Sequence, residues 1–473
     1  MGPAVLAQVQ SYPVPKQLAG TSVKVTIGGT ATDALMVYTS AGQVAAILPS
    51  STPVGTGTVT VTYNSQTSAG LPVTVVSNNF GMYTLSQDGT GPAVVTTGAI
   101  QAITLTSPAK PGDTLILWGT GLGPYSGDET NPPAETGLNV NASVFVGDLP
   151  ATISYKGRSS SPGLDQINFK VPAGVTGCYV PIAVVVNGTV SNFGSMSIST
   201  DGSTCSDPAG LPSTAINDVV KNGHLKVGFI ELQRVAFSAT VPLLGSVNIK
   251  QDRGAAYFYN FDDRALIASR GLSSISSFSS CTVLVCSNSD TCIPDNTALN
   301  VPQLSAGSSV TITGPNGNTV LPLSAGHVGE YHGPLGSSGL TGSSYLVPGA
   351  YTASNAGGSD VPSFTADLTI KYSGGTASDY VAILGSSTST SGAQHATVTF
   401  VCTEKASAGS FTIPSFVLSA LPASGTITIS GVSGPGGFLL LGNYPLSNTF
   451  SAAGLDLGYF SETVVNGINI PFN

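Results

Sequence analysis

The feature that most constrains this chain is an internal repeat. Gln43-Val44-Ala45-Ala46-Ile47-Leu48-Pro49 aligns with Gln166-Ile167-Asn168-Phe169-Lys170-Val171-Pro172, 123 positions further on. The register holds without a gap through Asn64 and Asn187 to Ser68 and Ser191. Between these anchors lie two alternating runs, Thr58 to Tyr63 and Pro181 to Val186. Each is followed by a turn, Asn64-Ser65 or Asn187-Gly188, the second a strong hairpin signal. Alternation such as Val23-Lys24-Val25-Thr26-Ile27 puts one face of each strand inward and the other toward solvent.

Short alternating strands with frequent turns predict an all-β fold of tandem immunoglobulin-like β-sandwich domains. The expected units are residues 1–100 and 101–205, followed by a larger β-rich C-terminal region, 206–473, which divides near residue 300 if it is two domains. In that region helices are expected at Ser213 to Asn222 and Pro414 to Leu421. Strands are expected at Ser308 to Thr313, Thr365 to Tyr372, Ala396 to Cys402 and Gly425 to Ile429. The Ser/Thr/Gly-rich run Gly385 to Gly392 reads as an exposed loop.

The two repeats differ at their start. The second opens with Pro111-Gly112-Asp113-Thr114-Leu115-Ile116-Leu117-Trp118-Gly119, a good first strand, and then Gly121-Leu122-Gly123-Pro124. The first opens with Gly2-Pro3, so if the Gly-Pro pairs correspond its first strand is missing. Trp118 reads as core. Residues 1–6 lack the basic region and long apolar core of a signal peptide, so an upstream segment removed or never included is one expectation. In that case the missing strand marks a truncated start and has no functional meaning.

Pro111 to Pro124 and Gly163-Leu164-Asp165-Gln166-Ile167-Asn168 with Val171-Pro172 resemble a domain of large uncharacterised secreted proteins from soil acidobacteria. That domain is similar to the immunoglobulin-like plexin/transcription-factor sandwich. Ala306 to Ser309, Pro348 to Tyr351, Gly357 to Val361 with Phe364, and Phe411 to Pro414 resemble segments of the same proteins. The resemblance implies an extracellular location and a sandwich fold, and it defines no activity.

Composition narrows the function classes. Charged residues are 8% of the chain, against roughly 25% in ordinary soluble domains, while hydrophobic residues are 41%. Solvent-facing strand positions must therefore be Ser, Thr, Asn and Gly. The net charge of −9, with 15 scattered basic residues, gives no stripe for nucleic acid or anionic membrane. No apolar run is long enough to predict a membrane span. Six cysteines predict three disulfides and an oxidising compartment; the count leaves 15 complete pairings open, among which the expected set is Cys178–Cys205, Cys286–Cys292 and Cys281–Cys402.

Several groups are candidates for chemistry. There is no Gly-x-Ser-x-Gly, and His224, His327, His332 and His395 are dispersed. His327, Glu330 and His332 could ligate a metal, but strand geometry does not converge all three, so a solvated turn is expected. Asp128-Glu129, with Tyr125 and Asn131, could join a calcium site but lacks a calcium-loop period. Asp262-Asp263 beside Tyr257, Phe258, Tyr259 and Phe261 could face a sugar, although alternating aromatics are commonly core. No catalytic residue, cofactor or metal is predicted.

The expected function is that of a secreted structural or adhesive surface protein rather than an enzyme. It would self-associate head-to-tail into a fibre, a strand from one copy completing the first unit of another. The expected donor is Thr463 to Ile470, through Val464, Val465, Ile468 and Ile470, or else Val5 to Val9. The alternative is a secreted protein that binds or degrades an extracellular glycan through its C-terminal region.

Overall fold

The structure, a computed structural model, describes residues 2–85, 87, 89–133, 136–206, 212–241, 245–262, 280–287, 309–314, 317–322, 352–355, 367–372, 380–391, 394–429, 432–444, 448–450, 455–469 and 472. The described chain is built almost wholly from strands in several largely antiparallel sheets. The first unit contains β1 (Ala7–Gln8), β2 (Thr21–Ile27), β3 (Thr30–Asp33), β4 (Leu35–Thr39), β5 (Val44–Ile47), β6 (Gly55–Tyr63), β7 (Gln66–Thr67) and β8 (Leu71–Val75). These form one sheet ordered β1-β4-β5 and another ordered β3-β2-β6, with β7 and β8 both on β6. The chain crosses from one to the other between β3 and β4, where Ala34, Leu35 and Met36 are buried.

The second unit contains β9 (Gly81–Met82), β10 (Val95–Thr96), β11 (Thr114–Thr120), β12 (Thr136–Gly137), β13 (Ala142–Val146), β14 (Leu149–Arg158), β15 (Asp165–Lys170), β16 (Gly177–Val186), β17 (Thr189–Val190) and β18 (Gly194–Ile198). Its main path is β10-β11-β15-β14-β13-β16-β17. β14 pairs with β15 along one part and β13 along another, with a bulge between Ile153 and Tyr155, so it turns the corner between the two layers. The core is filled by Leu115, Leu117, Val144, Val146, Ile167, Phe169, Ile182, Val184, Val186, Met196 and Ile198. Trp118, expected in this core, is instead half-buried. It lies on the other face of β11 from Leu115 and Leu117, and its indole N–H donates to Thr96 Oγ1 at 2.9 Å. Residues 76–100, placed with the first unit by sequence, supply β9 and β10 to the second unit's sheet.

The repeat is visible atom by atom. Asn64 and Asn187 both turn with positive φ, at 47° and 49°. Ser68 Oγ accepts the Val61 N–H and donates to the Ala69 carbonyl. Ser191 Oγ does the same with Val184 and Asn192. A bulge in β4 between Met36 and Tyr38, opposite Ala45 and Ala46, matches the one in β14 opposite Asn168 and Phe169. These hydroxyl clips hold short polar strands in register, where a one-residue slip would turn every side chain to the wrong face.

Beyond Cys205 comes α1 (Ser213–Asn222), which buries Ala215 and Ile216 and is followed by Gly223 at φ 76°. The C-terminal region then contains β19 (His224–Val241), β20 (Gly245–Asp262), β21 (Ser280–Ser287), β22 (Ser309–Gly314), β23 (Gly317–Pro322), β24 (Thr352–Asn355), β25 (Leu368–Lys371), β26 (Tyr380–Ser391), β27 (Gln394–Lys405) and β28 (Ser410–Ile413). α2 (Ser415–Leu418), β29 (Thr426–Ile429), β30 (Val432–Pro435), β31 (Gly437–Tyr444), β32 (Asn448–Phe450) and β33 (Leu457–Asn469) complete it. One sheet runs β20-β19-β33-β31-β26-β27-β21, so strands from both sides of residue 300 share it. This region joins the second unit through Phe416 of α2, which stacks on Phe145 at 4.2 Å between ring centroids.

The run Gly385 to Gly392, expected as a loop, is corrected: through Ser391 it lies in β26, with Ser386 and Ser387 buried. Its hydroxyls are matched by partners. Ser387 Oγ donates to the Pro422 carbonyl at 2.7 Å, Thr399 donates to Ser386 at 2.9 Å, and Thr388 and Thr397 pair at 2.9 Å. Hydroxyl pairing across strands makes a composition typical of loops stable inside a sheet.

Cys178 and Cys205 are joined by a disulfide, with Cα atoms 5.3 Å apart. Cys402 is also disulfide-bonded, and Cys281 stands opposite it in the β21–β27 register. Cys286 lies on β21, and Cys292 lies outside the described residues. The Cys178–Cys205 link closes a loop with a sequence separation of 27, for which chain entropy gives about 3–4 kcal/mol. Replacing both cysteines by alanine is expected to cost about that much, read as a lower midpoint in chemical denaturation of the unreduced protein.

Candidate functional site

The site begins with β5, which pairs with β4 on one side only; among the described residues no strand pairs with its other edge. The equivalent strand in the second unit, β15, has β14 on one side and β11 on the other. There β11 runs antiparallel over six register pairs, from Thr114 opposite Lys170 to Gly119 opposite Asp165. Leu115 and Leu117 stand opposite Phe169 and Ile167, and all four are essentially inaccessible.

Without such a strand the first unit is open. Phe169 and Val171 are 0% and 1% exposed, whereas Ala46 at the first register position is exposed and Leu48 at the second is 37% exposed. Val73 and Val75 are only half-buried where Met196 and Ile198 are 3% and 1% exposed. Val54, Leu71 and Val76 are 64%, 66% and 50% exposed on the same unit. Exposed apolar side chains on this unit thus accompany a β5 edge on which no strand pairs among the described residues.

The C-terminal end of β5 is clamped by the second unit. Glu129 accepts hydrogen bonds from the N–H and Oγ of Ser50, both at 2.7 Å, and Ser50 Oγ accepts from the Tyr125 N–H at 2.8 Å. Arg158 Nη2 lies 3.7 Å from Glu129 and donates to the Gly123 carbonyl at 2.9 Å, while its Nη1 donates to Asp165. Asp165 also accepts from the Leu122 N–H at 2.8 Å, and the guanidinium lies 5.7 Å from the centre of the Tyr125 ring. A buried cation thus bridges two carboxylates, one holding the second unit's own turn and the other holding the first unit. Burial raises the Asp165 carboxyl above its ordinary value, offset in part by Arg158 and by the Leu122 and Gly121 N–H groups.

Asp128 and Glu129, considered together for calcium, diverge. Asp128 is exposed and folds back on its own loop, accepting from the Thr130 N–H and hydroxyl and from Asn131. Those bonds hold its carboxyl down at about 2. Among the described residues no three His, Cys, Asp or Glu side chains gather as metal ligands. His327, Glu330, His332 and Asp263 lie outside the described residues. Tyr257, Phe258, Tyr259, Phe261 and Asp262 fall on β20, opposite β19.

The expected C-terminal donor is corrected. Val464, Val465 and Ile468 lie on β33, which pairs with β19 on one side and β31 on the other; Ile470 lies outside the described residues. A strand bonded on both edges has none to lend. The N-terminal candidate is also engaged: Ala7 and Gln8 pair with β4, and the Val9 N–H donates to the Val37 carbonyl. Arg158, Asp165 and Ser50 escaped the sequence reading as site residues. The available signal was an isolated Arg and Asp on alternating strands of a chain this poor in charge. A separate open cleft of about 760 Å³ lies beside Tyr83, Thr120 and Asn192.

No protein-family model matches this chain, and no curated protein matches it.

Arg158→Met leaves two carboxylates without their cation and is expected to destabilise the protein by about 3–5 kcal/mol in urea denaturation. Adding Asp165→Leu to it should recover only part of that loss, because the Leu122 N–H remains unmatched. The raised Asp165 value has its own sign. The folded chain holds that proton to higher pH than the unfolded chain, so the contribution is full below the unfolded value and lost as pH rises through the folded one. The unfolding free energy of Asp165→Asn relative to the native chain should therefore shift in favour of Asn as pH rises above the ordinary aspartate range.

Proposed function

We propose that this chain is an extracellular structural or adhesive protein that associates with copies of itself. A strand from one molecule fills the open edge of β5 in the next, and assembly proceeds head-to-tail into a fibre. The observation that carries this reading is the contrast between β5 and β15, two register-matched strands of which, among the described residues, only the second has a partner on its far edge. The disulfide, the scarcity of charge and the tandem immunoglobulin-like reading of the two units support an extracellular setting. No helix among the described residues is long and apolar enough to cross a membrane. That β33 (Leu457–Asn469) and β1 (Ala7–Gln8) are paired within the chain favours a donor other than these strands. A second reading, binding of an extracellular glycan, draws on the cleft beside Tyr83, and a glycan array separates it from strand addition.

Negative-stain microscopy and sedimentation of the unreduced protein test the first reading. The native chain is expected to form linear assemblies. Ala46→Asp places a charge where the incoming strand must pack and should keep the protein monomeric. Its unfolding midpoint should be unchanged, because Ala46 is exposed in the single chain. Native particles that stay single at every concentration would overturn the self-association.

A further inference from the structure

The open cleft beside Tyr83 is formed by described residues between 79 and 94, together with Thr120 and Asn192. Its volume of about 760 Å³ is on the scale of a small-molecule site. Its base is held by hydrogen bonds within the chain. Asn192 Oδ1 accepts the Met82 N–H at 2.8 Å, and its Nδ2 donates to the carbonyls of Gly89 and Met82 at 2.7 Å and 3.1 Å. Thr84 Oγ1 accepts the Gly89 N–H at 3.1 Å, and Gln87 turns between them at φ 63°. The Tyr83 N–H donates to the Trp118 carbonyl and the Tyr83 carbonyl accepts from Val94, so the backbone under the ring is paired. The repeat marks this construction as particular to the second unit, because the position of Asn192 is Ala69 in the first.

The chemistry of the lining selects a ligand class. The described lining residues carry no formal charge, so an anion entering the cleft would lose water without gaining a cation. Tyr83 is 43% exposed, and Asn79, Gln87 and Thr120 are exposed around it. A peptide strand finds no free main-chain groups at Met82, since Asn192 holds both its N–H and its carbonyl. An aromatic ring offers an apolar face, while amides and hydroxyls each donate and accept. Sugar rings match that set, with C–H groups on one face and hydroxyls of both capacities around the rim.

We infer that this cleft binds an uncharged sugar chain, one ring stacked on Tyr83 and its hydroxyls bonded by Asn79, Gln87 and Thr120. This rests on the glycan reading and adds to it a site, the recognising residues and the charge of the ligand. It is independent of strand addition at β5.

The test is isothermal titration calorimetry of the unreduced full chain. Cellohexaose, xylohexaose and mannohexaose are the neutral probes, and hexagalacturonate is the anionic one. At least one neutral probe is expected to bind, and hexagalacturonate is not. Tyr83→Ala should weaken binding about tenfold, whereas Tyr83→Phe keeps the ring and should stay within about threefold. Gln87→Gly suits the positive φ, so it should weaken binding about fivefold without lowering the unfolding midpoint. Ala46→Asp, on β5, should bind the sugar as the native chain does. Neutral-sugar binding that Tyr83→Ala and Gln87→Gly leave unchanged overturns the placement, and the glycan reading then stands. Loss of binding in Ala46→Asp overturns the placement as well. Hexagalacturonate bound as tightly as the neutral probes overturns the assigned ligand class. Silence with every probe overturns both the inference and the glycan reading.

Discussion

A sheet is stable only when its strands are paired along their edges and its apolar face is covered, and both requirements meet at one strand in each repeat. In the second unit β15 is flanked on both sides, and β11 brings the two leucines that close the core over Phe169 and Ile167. Burying two leucine side chains stabilises a unit by roughly 3–6 kcal/mol, comparable with the whole net stability of a small domain. The first unit has the same register, the same bulge and the same serine clip, without that strand on β5. What it retains is a reduced core around Val25, Ile27, Leu35 and Met36. Its open side carries side chains that the matching register buries elsewhere.

A partly open unit needs support from outside, and the ion triad supplies it. In a chain with 8% charged residues, placing Glu129, Arg158 and Asp165 together under low solvent exposure is costly in desolvation. A buried ion network contributes orientation more surely than net stability. Here its geometry fixes Ser50, two residues beyond Leu48, against the Tyr125–Asn131 loop. The end of β5 is thereby held while its edge stays free. Were β5 to accept a strand as proposed, this anchoring would lower the conformational entropy lost on pairing.

The parts of this arrangement differ in how well the sequence expresses them. Alternation and the repeat placed the sandwich strands, because period-2 burial and a fixed offset are local signals. Trp118 was misread because alternation alone does not say which of two faces is the core when both carry apolar groups. β26 was misread because Ser and Thr resemble loop residues until their cross-strand hydroxyl partners are known. β33 looked like a free tail because its parallel partner, β19, lies more than two hundred residues away in sequence. The triad joins residues from three separate segments, so no local pattern announces it.

The asymmetry between the repeats also limits what assembly can look like. The second unit is filled by its own β11, whose Leu117 is fully buried, so withdrawing that strand would open a finished core. Exchange is therefore unfavourable there, and the proposed assembly assigns the acceptor role to β5. In the proposed assembly, an acceptor on β5 with its donor elsewhere on the molecule would make a heterologous contact. Such contacts close into rings or extend as filaments according to the rotation between copies. The clamp at Ser50 ties the orientation of β5 to the second unit, so that rotation is set by the inter-unit junction as much as by the slot.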